Sequence, residues 1–323
     1  MIALENVKKS YGHMNALDGL TMHIEDGAMY GFVGPTGSGK TTAIQMMCGL
    51  EYPDEGRVMV DDMEAGSNVR RLKRRIGYVP DYTGSYPNLR IIEYMDFFAD
   101  CYDMRDSKTK RRIQNLLNMV GLQERQSQFM DSLNRGAQQK LSLARALIHD
   151  PKILILDEPT AGLDPNTTFE YRQIIANLAD SGKTIIISSN VLNEISELCT
   201  DIGIIDQGKM VMEGKIEDVL DQVNASNPII ISIAGSLGSA LQALRNDRMV
   251  RSVSIRNNDL LITYSGSQKD ESNLLKRLVE AGVPVRGFHR EKGNLESLFL
   301  QLTGTREERR VTYYEAESDF SEG

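Results

Sequence analysis

The chain has 323 residues, 41% hydrophobic and 25% charged, which suits one large soluble domain or a large domain with a smaller one. A formal net charge of −8 argues against a general nucleic-acid binder, and Cys48, Cys101 and Cys199 are scattered without metal-ligand spacing, as in a reducing compartment. No apolar run approaches the roughly 20 residues that cross a bilayer, and Met1 to Lys9 shows no basic-then-apolar leader, so work at a membrane would need a spanning part from another chain.

Residues 1–30 alternate short apolar runs with turns at Tyr11-Gly12 and Asp26-Gly27, which predicts an antiparallel β layer. The apolar run Met29 to Val33 then leads into Gly34-Pro35-Thr36-Gly37-Ser38-Gly39-Lys40-Thr41, followed by a helix-like run from Thr42 to Leu50. This is the phosphate-binding pattern G-x-x-x-x-G-K-[ST] in its strand–loop–helix setting. Glycines let successive backbone N–H groups curl around a phosphate, and the following helix N-terminus adds its positive end. Lys40 is expected to reach the β- and γ-phosphates, and the Thr41 hydroxyl to ligate Mg²⁺. Glycine-rich turns before helices are common; the Gly39-Lys40-Thr41 ending separates this one from them.

Strands are predicted at Arg57–Val60 and at Arg75–Val79, the latter ended by Pro80. From Leu89 to about Met130 the pattern is helical, with Ile91, Tyr94, Met95, Phe98, Ala99 and Tyr102 on one apolar face. A helix over Gln138–His149 leads through Asp150-Pro151 to Lys152–Glu158, an apolar run that ends in two carboxylates, as a buried parallel strand should. Asp157 can hold Mg²⁺ directly or through water, and Glu158 can orient or deprotonate an attacking water. With a lysine and an amide cradle, those groups suffice for phosphoryl transfer, which is mainly positioning and charge stabilisation. Helix (Phe169–Asp180), strand (Thr184–Ser188), helix (Val191–Leu198) and strand (Ile202–Ile205) complete an alternating pattern, hence an α/β core with a mainly parallel sheet.

Composition changes near residue 220. Strand Ile229–Ile233, helix Leu237–Asn246, strands Val250–Arg256 and Asp259–Tyr264 around an Asn257-Asn258 turn, helix Glu271–Ala281 and strand Val283–Glu291 follow, with a short helix at Leu295–Leu302. That order is the β-α-β-β-α-β split unit of ferredoxin-like folds. Thr305 to Gly323 is expected to be a mobile tail.

Together these residues resemble an ATP-binding cassette (ABC) ATPase, the motor subunit of ABC transporters, over about residues 1–215. The resemblance implies a P-loop α/β cassette over 1–218 with an antiparallel β layer and a helical subdomain near 85–145. A small α+β ferredoxin-like domain over 226–303 and a disordered tail over 304–323 follow. ATP and Mg²⁺ are the implied cofactors. Gly34, Pro35, Thr36, Gly37, Ser38, Gly39, Lys40, Thr41 and Thr42 are the implied phosphate cradle, and Tyr11 is the implied adenine stack. Leu133 to Lys140 stands where the family has its signature motif, so Asn134 and Gly136 are implied to act on the nucleotide of a facing subunit. Gly162-Leu163-Asp164-Pro165 matches the loop that crosses between subunits, which adds Asp164. The implied partners are a second cassette, identical or not, and a separate multi-span permease. The implied location is the cytoplasmic face of the cell membrane, without insertion. The C-terminal unit resembles the extension on cassettes that serve exporters.

Three places depart from the family pattern, all around the γ-phosphate. The usual glutamine after Tyr78-Val79-Pro80 is Asp81, which can still reach Mg²⁺ or water. The signature serine is Asn134 and its first glycine Arg135, a side chain that would clash, point outward or supply a cation in trans. The switch histidine is Asn190, which cannot carry a proton or positive charge. These changes motivate an alternative, a hydrolysis-impaired cassette that closes on ATP as a regulatory subunit. A cassette of translation or DNA repair is disfavoured, because the chain has neither a second cassette nor a coiled coil or zinc site.

Overall fold

A computed structural model describes residues 1–82, 84, 86–220, 227–245, 247–256 and 259–290. The chain divides into two compact units, one formed by Met1–Ile216 and one lying within Glu217–Gln301.

The first unit is built on two sheets. β1 (Ile2–Tyr11), β2 (Met14–Ile24), β4 (Glu55–Val60) and β5 (Met63–Glu64) form an antiparallel layer in the order β2-β1-β4-β5. The second sheet runs β10-β9-β3-β8-β7-β6, with β3 (Met29–Val33), β6 (Ile76–Val79), β7 (Ile153–Asp157), β8 (Thr184–Ser189) and β9 (Asp201–Asp206) parallel and β10 (Lys209–Lys215) an antiparallel edge. Every residue of β3, β7 and β8 is buried, as apolar runs covered on both faces must be. Helix α1 (Lys40–Met47) lies between the layers: Ala43, Ile44, Met46 and Met47 share a core with Ile2, Leu4 and Val58 on one side and Ile153, Ile155 and Ile186 on the other. The strand end that carries the loop is therefore clamped from both directions.

Short α2 (Val69–Lys73) precedes β6, and α3 (Ile91–Cys101), α4 (Ser107–Met119) and α5 (Arg135–Ala146) make the helical part. On α3 the predicted face holds: Ile91, Tyr94, Met95 and Ala99 are buried. Two of the helices that start earlier than the sequence suggests matter for the site. Helix α5 begins at Arg135 rather than Gln138, and α6 (Pro165–Asp180) at Pro165 rather than Phe169. Asn134 and Asp164 are N-caps whose side chains accept from the N–H groups of Ala137 and Thr167, so both helices open inside the motifs. Helix α7 (Leu192–Leu198) lies between β8 and β9. The edge strand β10 is an addition; it alternates exposed and half-buried positions, which a search for buried apolar runs passes over.

The second unit contains β11 (Ile229–Ile233), α8 (Gly238–Arg245), β12 (Val250–Arg256), β13 (Asp259–Tyr264), α9 (Gln268–Glu280) and β14 (Val285–Arg290). Its antiparallel sheet has the order β12-β13-β11-β14, the split-unit order, with Ile229, Ile231, Leu260, Ile262, Leu274 and Leu278 in one core. The Asn257-Asn258 turn, the helix expected at Leu295–Leu302 and the tail lie outside the described residues.

Candidate nucleotide site

The loop after β3 is held in shape by its neighbours. Gly34 is enclosed: a Cβ there would stand 2.3 Å from the Ile205 carbonyl oxygen and 2.5 Å from Ser38 Oγ. Gly39, at φ +107°, admits no side chain either, since its Cβ would meet the Ala16 carbonyl oxygen at 2.4 Å. Gly37 (φ +83°), Thr36 and Thr41 face open space. Helix α1 starts without any side-chain cap, which leaves its first N–H groups to an anion. Lys40 is 6% exposed and folds back into the loop, donating from Nζ to the carbonyls of Gly34 (2.7 Å) and Pro35 (3.2 Å).

At the end of β7, two β-strands away from the loop, stand the carboxylates. Asp157 is buried, and Ser188 on the intervening β8 donates to its Oδ1 at 2.6 Å. The Glu158 N–H donates in turn to Ser188 Oγ at 2.9 Å. Glu158 has φ +46°, a left-handed backbone that is strained for a glutamate and that such a site stores. Its Oε1 lies 3.7 Å from Lys40 Nζ. Burial pushes the Glu158 carboxyl above the ordinary range, opposed by Lys40 and by the Asn190 backbone N–H. Burial lowers the Lys40 ammonium, opposed by Glu158 and Asp157.

A cleft of about 550 Å³ joins these groups, within the range of small-molecule sites. Its walls include Tyr11, Thr36, Lys40, Thr41, Asp81, Arg135, Glu158 and Asn190, with Gly37, Gly39 and Thr42 also on the lining. Tyr11 is 43% exposed on that wall, so it is no core tyrosine. Asn190 contacts Glu158 through its backbone N–H, which any residue at that position could supply. Arg135 is accommodated without a clash, its side chain 60% exposed. It reaches within its own chain to Asp81, Nη2 to Oδ1 3.6 Å.

Asn134, Gly136 and Asp164 are not on this cleft. Asn134 and Gly136 line a separate hollow with Lys140 and Thr167, and a Cβ on Gly136 would stand 2.7 Å from Thr167 Cγ2. Asp164 accepts from Thr167 N–H (3.0 Å) and Oγ1 (2.6 Å). The starts of α5 and α6 are thus packed together.

Sequence reasoning missed several other contributors. Met14, Asn15 and Ala16 line the cleft from β2, beside Tyr11 through the Tyr11–Met14 strand pairing. The β9–β10 turn props the loop: Gly208 N–H donates to the Ser38 carbonyl at 2.9 Å, and Asp18 N–H to the Gly208 carbonyl at 3.0 Å. Ser188 sits inside an apolar strand, where its buried hydroxyl could have been marked as needing a partner.

A strand that ends in an uncapped glycine loop with a folded-back lysine, facing an aspartate–glutamate pair across one cleft, defines a P-loop nucleotide-binding protein. The ABC transporter family profile matches residues 17–161. The linearmycin resistance ATP-binding protein LnrL of Bacillus subtilis (strain 168) is 31% identical over 306 residues, covering 94% of this chain and 98% of that protein. The Nod factor export ATP-binding protein I of Cupriavidus metallidurans is also 31% identical, over 94% of this chain and 97% of its own length. Among solved structures, the ATP-binding cassette MJ0796, a dimer in a post-hydrolysis state bound to ADP and Pi, covers 67% of this chain at 28% identity and a TM-score of 0.61. The chain belongs to the ABC transporter family, as one of its ATP-binding cassette ATPases. No helix among the described residues is long and apolar enough to cross a membrane.

Proposed function

We propose that this chain hydrolyses ATP to drive export through a separate multi-span permease, at the cytoplasmic face of a membrane and in company with a second cassette. The observation that carries this reading is similarity across both units, over 94% of the chain, to ATP-binding proteins named for export and for resistance. Within the site, Lys40 and the loop amides hold the phosphates and Tyr11 stacks on adenine. Thr41 and Asp157 offer hard oxygen donors of the kind Mg²⁺ takes alongside substrate phosphates, and among the described residues no cluster of three or more His, Cys, Asp or Glu competes as a self-sufficient metal site. Bound there, Mg²⁺ supplies charge neutralisation at the β- and γ-oxygens. Glu158 orients water and takes its proton, a role its raised pKa suits. Asn134 and Gly136, which lie off their own cleft, serve the nucleotide of the facing cassette, with Asp164 on the neighbouring Thr167. The C-terminal unit, taken as 226–303, is an accessory domain.

The test is Mg-ATP turnover of the purified chain with its permease against Glu158→Gln. Loss of a general base predicts a fall of about 10²–10⁴-fold with ATP still bound. Equal turnover in both proteins would overturn the assignment.

A further inference from the structure

Two of the departures from the family pattern meet in space. Asp81 leaves β6 through Pro80, Arg135 opens α5, and the fold brings their charged ends to 3.6 Å. The same guanidinium packs on the turn after Glu158: a Cβ on Gly162 would stand 3.2 Å from Arg135 Cζ and 3.3 Å from Nη1. Gly162 is also left-handed, at φ +69°, so this turn presents bare backbone to the arginine. Asp81, Arg135, Glu158 and Ala161 all line the same cleft.

The charges explain why the two substitutions belong together. The wall already carries Glu158, with Asp157 buried behind it and Lys40 as the counter-charge of both, and Asn190 adds none. A third carboxylate at position 81 would repel a polyphosphate entering the cleft. A cation that sits beside it, braced on Gly162, removes that penalty. We propose that Arg135 acts within its own chain as the counter-charge of Asp81, a positioning residue that holds this carboxylate against the Gly162 turn and cancels its repulsion toward bound ATP. The proposal rests on the nucleotide cleft assigned above, and it gives Arg135 a role in cis, where a signature-motif residue works in trans.

The experiment is equilibrium binding of a fluorescent ATP analogue with Mg²⁺ to the full chain, with turnover read in parallel. It compares the wild type with Arg135→Gln, Asp81→Asn, the double variant and Arg135→Lys. At low salt Arg135→Gln should weaken binding about two- to five-fold, the size of an exposed charge-pair coupling. Adding Asp81→Asn should restore it, Arg135→Lys should retain most of it, and the difference should shrink in high salt. A purely structural tie predicts the opposite, a double variant at least as weak as the single one and indifferent to salt. That result, or full-strength binding by Arg135→Gln at low salt, would overturn the proposal. A wild type that binds the analogue without turning over ATP would sink the hydrolysis reading while leaving this cycle readable.

Discussion

Ser188 holds both carboxylate-bearing residues with one hydroxyl, donating to Asp157 and accepting from the Glu158 N–H. Ser188→Ala would leave a buried carboxylate oxygen and a backbone N–H without their partner, a cost of about 1–3 kcal/mol in denaturant unfolding. Glu158 would also lose its anchor, so turnover should fall by more than stability alone explains, on the order of ten-fold. His149 offers a different readout. Its Nε2 bonds to the Ile76 carbonyl at 3.0 Å and its ring stacks on Tyr102 at 3.9 Å. Burial is the main cause that lowers its pKa from 6.5 to about 4. The unfolded chain therefore binds a proton that the folded chain refuses, and this contribution to stability is lost progressively as pH falls from about 6.5 toward 4. Melting temperatures at pH 7 and pH 5 should differ less in His149→Phe than in the wild type. An equal difference would remove His149 as the source.

At the level of elements, the β9–β10 turn is the clearest case of a distant part shaping the site. Gly208, at φ +75°, stands so close to β2 that a Cβ would lie 2.8 Å from the Ala16 carbonyl oxygen and 2.9 Å from Asp18 N. Gly208→Ala should destabilise by about 1–3 kcal/mol, and because Gly208 N–H holds Ser38, nucleotide affinity should fall with it. An unchanged affinity in a folded variant would separate the turn from the loop. Buried elements were easy to read from sequence: β3 and β7 are near-continuous apolar runs, β8 carries three consecutive isoleucines, and each leads into a functional residue. The phosphate loop and the Asp157-Glu158 pair carry their chemistry in adjacent residues. The starts of α5 and α6 were harder, because Asn134 and Asp164 were read for their places in family motifs and not as the N-caps their side chains form. Met14, Gly208 and the Asp81–Arg135 pair were not legible at all. Their placement depends on strand register and on contacts between segments far apart in the chain.

On the scale of the whole chain, each unit has its own sheets, two in the first and one in the second, and its own hydrophobic core. Among the described residues, those lining the cleft all fall between Tyr11 and Asn190. A chain ended after Leu220 should therefore bind Mg-ATP within about two-fold of the full protein, as an independently folding domain does. Titration of both proteins with a fluorescent ATP analogue checks this, and a large loss would assign the second unit a part in the site. The separation of the Asn134–Gly136 hollow from the Lys40 cleft has a kinetic meaning as well. If each nucleotide needs one surface from each of two cassettes, a dilute chain holds two unmatched halves. Its hydrolysis rate is then second order in protein, so a two-fold dilution should lower it about four-fold while the dimer is rare. A permease that gathers two cassettes side by side would make the same reaction first order, by fixing their local concentration rather than by altering a single catalytic group.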